Sequence, residues 1–209
     1  LHLDRLKRAG EAFQFNLKPG TQIATLMSRL EQVVQAHDSF MSRQLRRNGI
    51  SLLHGRAHFL NEHLVEMQTV DGARQQLTAN TIVIATGSRP RNPKEIPVDH
   101  EHILDSDSLL SMLYLPQSLM VIGGGVIGCE YASIFALLGV QVTLIDRAPY
   151  PLQFMDRELV EQFVQGLEHN GGRYLGGCQI AEVRWDNVAH VVTTLQDGTV
   201  IKSEKMLVA

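Results

Sequence analysis

From residue 21 to 48, apolar side chains recur every three or four positions: Ile23, Leu26, Met27, Leu30, Val33, Val34, Phe40, Met41 and Leu45. That period predicts one long amphipathic helix, opened by Thr21 as a cap and closed by Asn48-Gly49 in the left-handed style. After it the period drops toward two. Short runs at 50–53, 56–60, 63–69 and 74–78 predict strands, with Asn61-Glu62 and Asp71-Gly72 as turns. Thr81-Ile-Val-Ile-Ala85 reads as a fully apolar parallel strand that breaks at once into Thr86-Gly87-Ser88. A buried strand ending in small residues is a typical place for a backbone to approach a ligand.

The stretch 89–97 carries Pro90, Pro93 and Pro97 and reads as a linker. Residues 106–113 predict a short helix capped by Asp105 or Ser106. Then the pattern alternates. An apolar run at 119–122 leads into glycines, a helical run follows at 126–138, and a second apolar run at 140–145 ends in Asp146. Residues 147–154 hold two prolines and read as a loop. Asp156 is an N-cap candidate for a helix through His169, closed by Asn170-Gly171. Residues 173–209 read as short strands with a hairpin at Asp197-Gly198. Strands alternating with helices in this way predict an α/β fold.

Gly123, Gly125 and Gly128 stand in the spacing G-x-G-x-x-G, and Asp146 follows about twenty residues on. Strand, glycine turn, helix, strand and terminal acid in that order form a βαβ dinucleotide fingerprint. Gly123 allows the tight turn, Gly125 lets a pyrophosphate approach the backbone, and Gly128 lets the helix pack closely on the sheet. The N–H groups of Val126 and Ile127 lack intrahelical acceptors and, with the helix dipole, suit a pair of phosphates. Asp146 can accept hydrogen bonds from a ribose diol, which favours NAD over NADP. Arg147 beside it can pair with a 2′-phosphate, which leaves that preference open. Glu130, on the first turn of the helix, serves either the helix dipole or the nicotinamide end.

The bulk numbers narrow the partners. The chain has 209 residues, 44% apolar and 20% charged, enough for one large domain or two small ones. A formal charge of −3 argues against a general nucleic-acid surface, and Arg43, Arg46 and Arg47 read as a solvated helix end. No stretch reaches the ~18 apolar residues of a membrane span. The two cysteines, Cys129 and Cys178, form no redox or metal pair and suit a reducing cytoplasm. Cys129 reads as a small buried hydrophobe. His54 and His58 have i,i+4 spacing, but Gly55 and a strand context oppose a metal pair. The chain opens without an initiator Met or a signal peptide, and its last apolar run, 205–209, is cut off in a strand. It is expected to be an internal piece of a longer polypeptide.

The run Ile82-Val-Ile-Ala-Thr-Gly-Ser-Arg-Pro90, the Pro-rich link, Asp105-Ser-Asp-Ser-Leu109 and residues 121–135 resemble the pyridine nucleotide-disulfide oxidoreductase (flavoprotein disulfide reductase) family. The resemblance covers nearly the whole chain. It implies a Rossmann-like three-layer FAD/NAD(P)-binding fold. Residues 1–90 would be the later part of the FAD domain, 91–114 an interdomain link with a short helix, and 115–209 an NAD(P) domain truncated at its last strand. The implied cofactors are NAD(P)(H) and, in the full-length protein, FAD. Thr86, Gly87 and Ser88 would lie near the flavin, and Gly55 near its adenine end.

Gly128-Cys-Glu-Tyr-Ala-Ser-Ile-Phe135 looks most like family members that pass a hydride between NADPH and NAD+ through FAD. The family's first glycine fingerprint, its redox-cysteine segment and its C-terminal dimerisation domain have no counterpart here. The piece alone is therefore expected to bind NAD(H) without FAD and to be inactive, while the full-length protein is expected to be a homodimer. A lipoamide dehydrogenase or other disulfide reductase is the second reading. A non-catalytic module that senses NAD(H) is the third.

Overall fold

The structure is a computed structural model that describes residues 21–209, with side chains from Ser28 on. The chain divides into two compact units, one spanning Ser28–Arg89 and one holding Pro90–Ala209.

Helix α1 (Thr21–Arg47), which enters the first unit at Ser28, matches the 3.6-residue period and stops at Gly49, whose φ is +70°. The cap expected of Thr21 lies outside the described side chains. Leu30, Val33, Val34, Phe40 and Met41 of α1 are exposed. Strands β1 (Arg56–Asn61), β2 (Leu64–Gln68) and β3 (Arg74–Thr78) form an antiparallel meander, as the turn residues predict. Two expected strands do not form. Residues 50–53 are irregular and exposed, and residues 81–85 join no sheet, with Val83 at 82% and Ile84 at 70% exposure. An apolar run becomes a strand only by hydrogen bonding to a neighbour, and no described strand lies beside either run.

The second unit is a three-layer sandwich. Its strands are β4 (Ile103–Asp105), β5 (Ser118–Ile122), β6 (Gln141–Ile145), β7 (Arg173–Leu175), β8 (Ile180–Trp185), β9 (Val191–Leu195), β10 (Val200–Ser203) and β11 (Lys205–Val208). Helix α2 spans Val126–Leu137 and α3 spans Arg157–His169. The central sheet is parallel, in the order β4-β11-β5-β6-β7, and β8, β9 and β10 form a separate antiparallel meander.

Alternation within the apolar strands assigns each side chain to a layer. Leu119, Val121, Val142, Leu144 and Leu207 pack with Cys129, Ala132 and Phe135 of α2 and Leu167 of α3. Met120, Ile145, Met206 and Val208 face the other way, onto Val183, Val191, Leu195 and Ile201 of the meander. Both faces of the sheet are thus covered, which is why its strands read as continuous hydrophobic runs. Asp156 precedes α3 at the N-cap position but makes no side-chain cap bond, and Gly171 ends the helix at φ +85°.

The helix expected at 106–113 contracts to a 3₁₀ turn at Ser108–Ser111, preceded by β4. Asp105 opens that turn. Its Oδ1 accepts hydrogen bonds from Ser108 N (2.8 Å), Ser108 Oγ (2.7 Å) and Asp107 N (3.2 Å). Bonds from the second and third N–H groups after it, with Asp105 N–H donating back to Ser108 Oγ at 3.0 Å, are those of an N-cap, the role expected of Asp105. Asn92 Nδ2 donates to Oδ2 at 3.3 Å, and His100 lies 3.6 Å away.

The Asp105 residue is only 6% exposed. The Ser108 N–H, with its hydroxyl and Asn92, outweighs the cost of burial and lowers the carboxyl pKa to about 2. The folded value lies below the unfolded one, so the stabilisation is complete above about pH 4 and is lost as pH falls toward about 2. Asp105→Asn is expected to cost about 1–2 kcal/mol at neutral pH and to flatten that acid-side loss. Urea unfolding measured across pH checks both.

Candidate functional site

Strand β5 runs into the Gly123-Gly124-Gly125 turn, and α2 starts at Val126. Gly123 has φ +108°, a conformation open to glycine and strained for other residues, and its N–H is held by the Ile145 carbonyl at 2.9 Å. A Cβ on Gly128 would strike the Gly123 carbonyl. The third glycine is therefore what lets the helix start so close to the strand. Gly125 differs: its φ is −77°, and a Cβ there would meet nothing within 4 Å. The space in front of it is open.

The helical ladder begins with Cys129 N–H on the Gly125 carbonyl at 3.0 Å. Among the described residues, the N–H groups of Val126 and Ile127 have no acceptor, and both residues are about half exposed. Free donors at the positive end of a helix dipole, facing open space, make a cradle for an anion of pyrophosphate type.

Asp146 follows β6 and is half-buried. Its Oδ2 accepts the Gly124 N–H, and its Oδ1 accepts the Ala148 N–H at 2.8 Å. Both oxygens are engaged, so the carboxylate is fixed in direction while keeping lone pairs for further donors. Arg147 beside it and Glu130 on the first turn of α2 are exposed. Cys129 is 3% exposed, and its Sγ lies 3.5 Å from the Gly124 carbonyl. Burial, aided by the Asp146 charge, pushes its thiol pKa up to about 12. The thiol stays protonated, and the residue packs as a small hydrophobe.

The structure thus brings Gly123, Gly125, Val126, Ile127, Gly128, Glu130, Asp146 and Arg147 to one edge of the parallel sheet. Gly55, Thr86, Gly87 and Ser88 belong to the other compact unit. A Cβ on Gly55 would lie 2.6 Å from the Gln68 carbonyl and 2.7 Å from Met67 Cγ, so packing inside the meander already requires the glycine. Thr86, Gly87 and Ser88 are exposed, with Gly87 at φ +69°.

Reading the motif by its spacing passed over Gly124, an "x" position. Its N–H binds Asp146, its carbonyl accepts Leu152 N–H at 2.7 Å, and a Cβ on it would sit 2.9 Å from Asp146 Oδ2. The signal was present as one more glycine than the motif needs.

Parallel sheet, glycine turn, helix and terminal carboxylate define a Rossmann-type α/β protein. The profile of the pyridine nucleotide-disulphide oxidoreductase family matches residues 6–209, and the chain belongs to that family. It is 36% identical over 184 residues to a soluble pyridine nucleotide transhydrogenase of Colwellia psychrerythraea, covering 88% of this chain and 39% of the relative. It is 38% identical over 183 residues to one of Pseudomonas paraeruginosa, covering 84% and 39%. The chain therefore spans about two fifths of the length of these curated relatives.

Among solved structures, LpdA of Mycobacterium tuberculosis superposes with a TM-score of 0.87 at 23% identity, over 99% of this chain and 45% of that one. The HOCl-induced flavoprotein disulfide reductase RclA of Escherichia coli gives 0.77 at 24% identity, over 88% and 41%. These two likenesses establish the fold. Among the described residues, no helix is long and apolar enough to cross a membrane.

The glycines should separate by measurement. Gly128→Ala is expected to cost about 2 kcal/mol or more, because a carbonyl must move. Gly125→Ala should change stability by less than about 1 kcal/mol, since its backbone suits any residue. Chemical denaturation of both variants distinguishes them, and equal losses would contradict the asymmetry.

Proposed function

We propose that residues 115–209 form the nicotinamide-nucleotide seat of an FAD-dependent oxidoreductase, and that the whole protein moves a hydride between NADPH and NAD+ through FAD. The observation that carries this reading is the open space before Gly125, faced by the unpaired N–H groups of Val126 and Ile127. A pyrophosphate there receives backbone hydrogen bonds and the helix dipole. Asp146 accepts from the adenosine ribose hydroxyls, and Arg147 next to it meets a 2′-phosphate. A site with both residues can take both nucleotides, which exchange between NADPH and NAD+ demands. Glu130, one turn along α2, lies toward the nicotinamide end.

The relatives named soluble pyridine nucleotide transhydrogenase support this choice within the family. FAD, when bound, supplies a carrier that takes a hydride from one nicotinamide and gives it to another. Thr86, Gly87 and Ser88 are exposed, and the space around Gly55 is filled by Met67 and Gln68. We assign residues 1–90 to part of an FAD domain that further residues of the full-length protein complete, with 91–114 as the link. Within this chain Cys129 is buried and protonated and Cys178 stands apart from it, and a lipoamide dehydrogenase or other disulfide reductase remains the second reading. Two cysteines in 209 residues also suit a reducing cytoplasm.

Calorimetric titration of the chain with NADH should give saturable binding below about 1 mM, a modest affinity of about −4 kcal/mol or better. Gly125→Val should abolish that binding while leaving the melting temperature nearly unchanged, because its side chain fills the pyrophosphate position. Retained affinity would sink the cradle. Asp146→Ala should weaken NADH about tenfold or more, the worth of a charge-assisted hydrogen bond, and weaken NADPH less. An equal loss for the two nucleotides would remove Asp146 from the ribose.

A further inference from the structure

Three loops meet at the carboxyl edge of the parallel sheet: the glycine turn after β5, residues 146–152 after β6, and residues 175–178 after β7. Short bonds weave them together. Asp146 N donates to the Leu175 carbonyl at 3.1 Å, and Cys178 N to the Asp146 carbonyl at 2.9 Å. Ala148 is the crossing point. Its N–H donates to Asp146 Oδ1 at 2.8 Å, and its carbonyl accepts Gly177 N–H at 2.9 Å. The same carbonyl accepts the Tyr174 hydroxyl at 2.9 Å.

This last bond comes from a side chain in the middle of β7, reaching from the sheet to the loop. On its outer side the loop faces α3, whose Arg157 guanidinium stands 5.6 Å from the centre of the Tyr150 ring. There a cleft of about 300 Å³, lined by Pro149, Tyr150, Pro151, Val160, Val164 and Tyr174 among others, separates it from α3. Burial, with the nearby Asp146 charge, raises the Tyr174 phenol pKa, so the hydroxyl keeps the proton it donates.

We propose that Tyr174 is a positioning residue for nucleotide binding: its hydroxyl holds the Ala148 peptide, which holds the Asp146 carboxylate that reads the ribose. The inference rests on the nicotinamide-nucleotide reading of the site. Donors on both oxygens, from Gly124 and Ala148, set the direction in which the remaining lone pairs of Asp146 point. A carboxylate fixed before the ligand arrives spends less of the binding energy on being ordered. Tyr174 itself touches no nucleotide in this account; it acts through the Ala148 peptide and Asp146.

The test is a double-mutant cycle on the 209-residue chain, with the NADH dissociation constant as readout. Tyr174→Phe keeps the ring and removes only the hydroxyl. It should weaken NADH about three- to tenfold, the loss of one neutral hydrogen bond, with little change in melting temperature. In an Asp146→Ala background the same substitution should weaken NADH by less than about twofold, because the group it positions is gone. If Asp146→Ala does not fold, Asp146→Asn, which keeps the shape, takes its place.

An equal loss from Tyr174→Phe in both backgrounds overturns the inference, since a merely structural role adds independently. Wild-type affinity in Tyr174→Phe overturns it as well, and then the nucleotide reading survives. A wild-type chain that binds no NADH at millimolar ligand removes the nucleotide reading and this inference together.

Discussion

How closely α2 approaches β5 governs everything at this edge of the sheet. The approach is set by hydrogen at the Cα of Gly128, where any larger substituent would strike the Gly123 carbonyl. With the helix seated there, its first N–H groups point off the end of a strand into open space, unpaired. Free backbone donors are ordinarily a cost that side chains or water must offset. Here the left-handed Gly123 turns the chain so that the donors converge, and the absent side chain of Gly125 keeps the front clear. A feature unfavourable for the bare helix is the one on which the proposed phosphate site rests.

The second constraint is electrostatic. Asp146 sits at the end of β6, next to the same helix terminus, with its two oxygens taken by Gly124 and Ala148. It therefore does two jobs. It closes the glycine turn against the following loop, and it presents a negative charge beside the start of α2. The mixture of positive helix end, fixed carboxylate and exposed Arg147 suits a ligand that is phosphate along one stretch and diol along another. Coverage of the sheet by α2 and α3 on one face and the meander on the other holds the strand ends in register.

Legibility followed the range of the forces involved. The glycine spacing, the 3.6-residue period of α1 and the turn at Asp71-Gly72 are local, and each appears in the structure where the sequence predicts it. The run at 81–85 is different. It has the composition of a buried strand, yet stays exposed because a strand exists only with a partner, and partners are not encoded in the strand itself. The reverse error occurred at 103–105, where three residues too few to show a period become an edge strand because β11 lies alongside. The helix expected at 106–113 forms only as the 3₁₀ turn at Ser108–Ser111, opened by Asp105, whose Oδ1 accepts hydrogen bonds from Asp107 N and Ser108 N.

By itself, the sequence determined the local frame of the candidate site: a glycine turn, a helix start and a strand-terminal acid require only neighbours along the chain. Only the tertiary structure decided which atoms hold the site in place. Ala148 and Tyr174 carry no motif, Gly124 stands at a position of the glycine turn to which the spacing gives no role, and they come together because β5, β6 and β7 end at one edge. Hydrogen bonds between loops from three different strands have no sequence period, so nothing along the chain announces them until the strands are laid side by side.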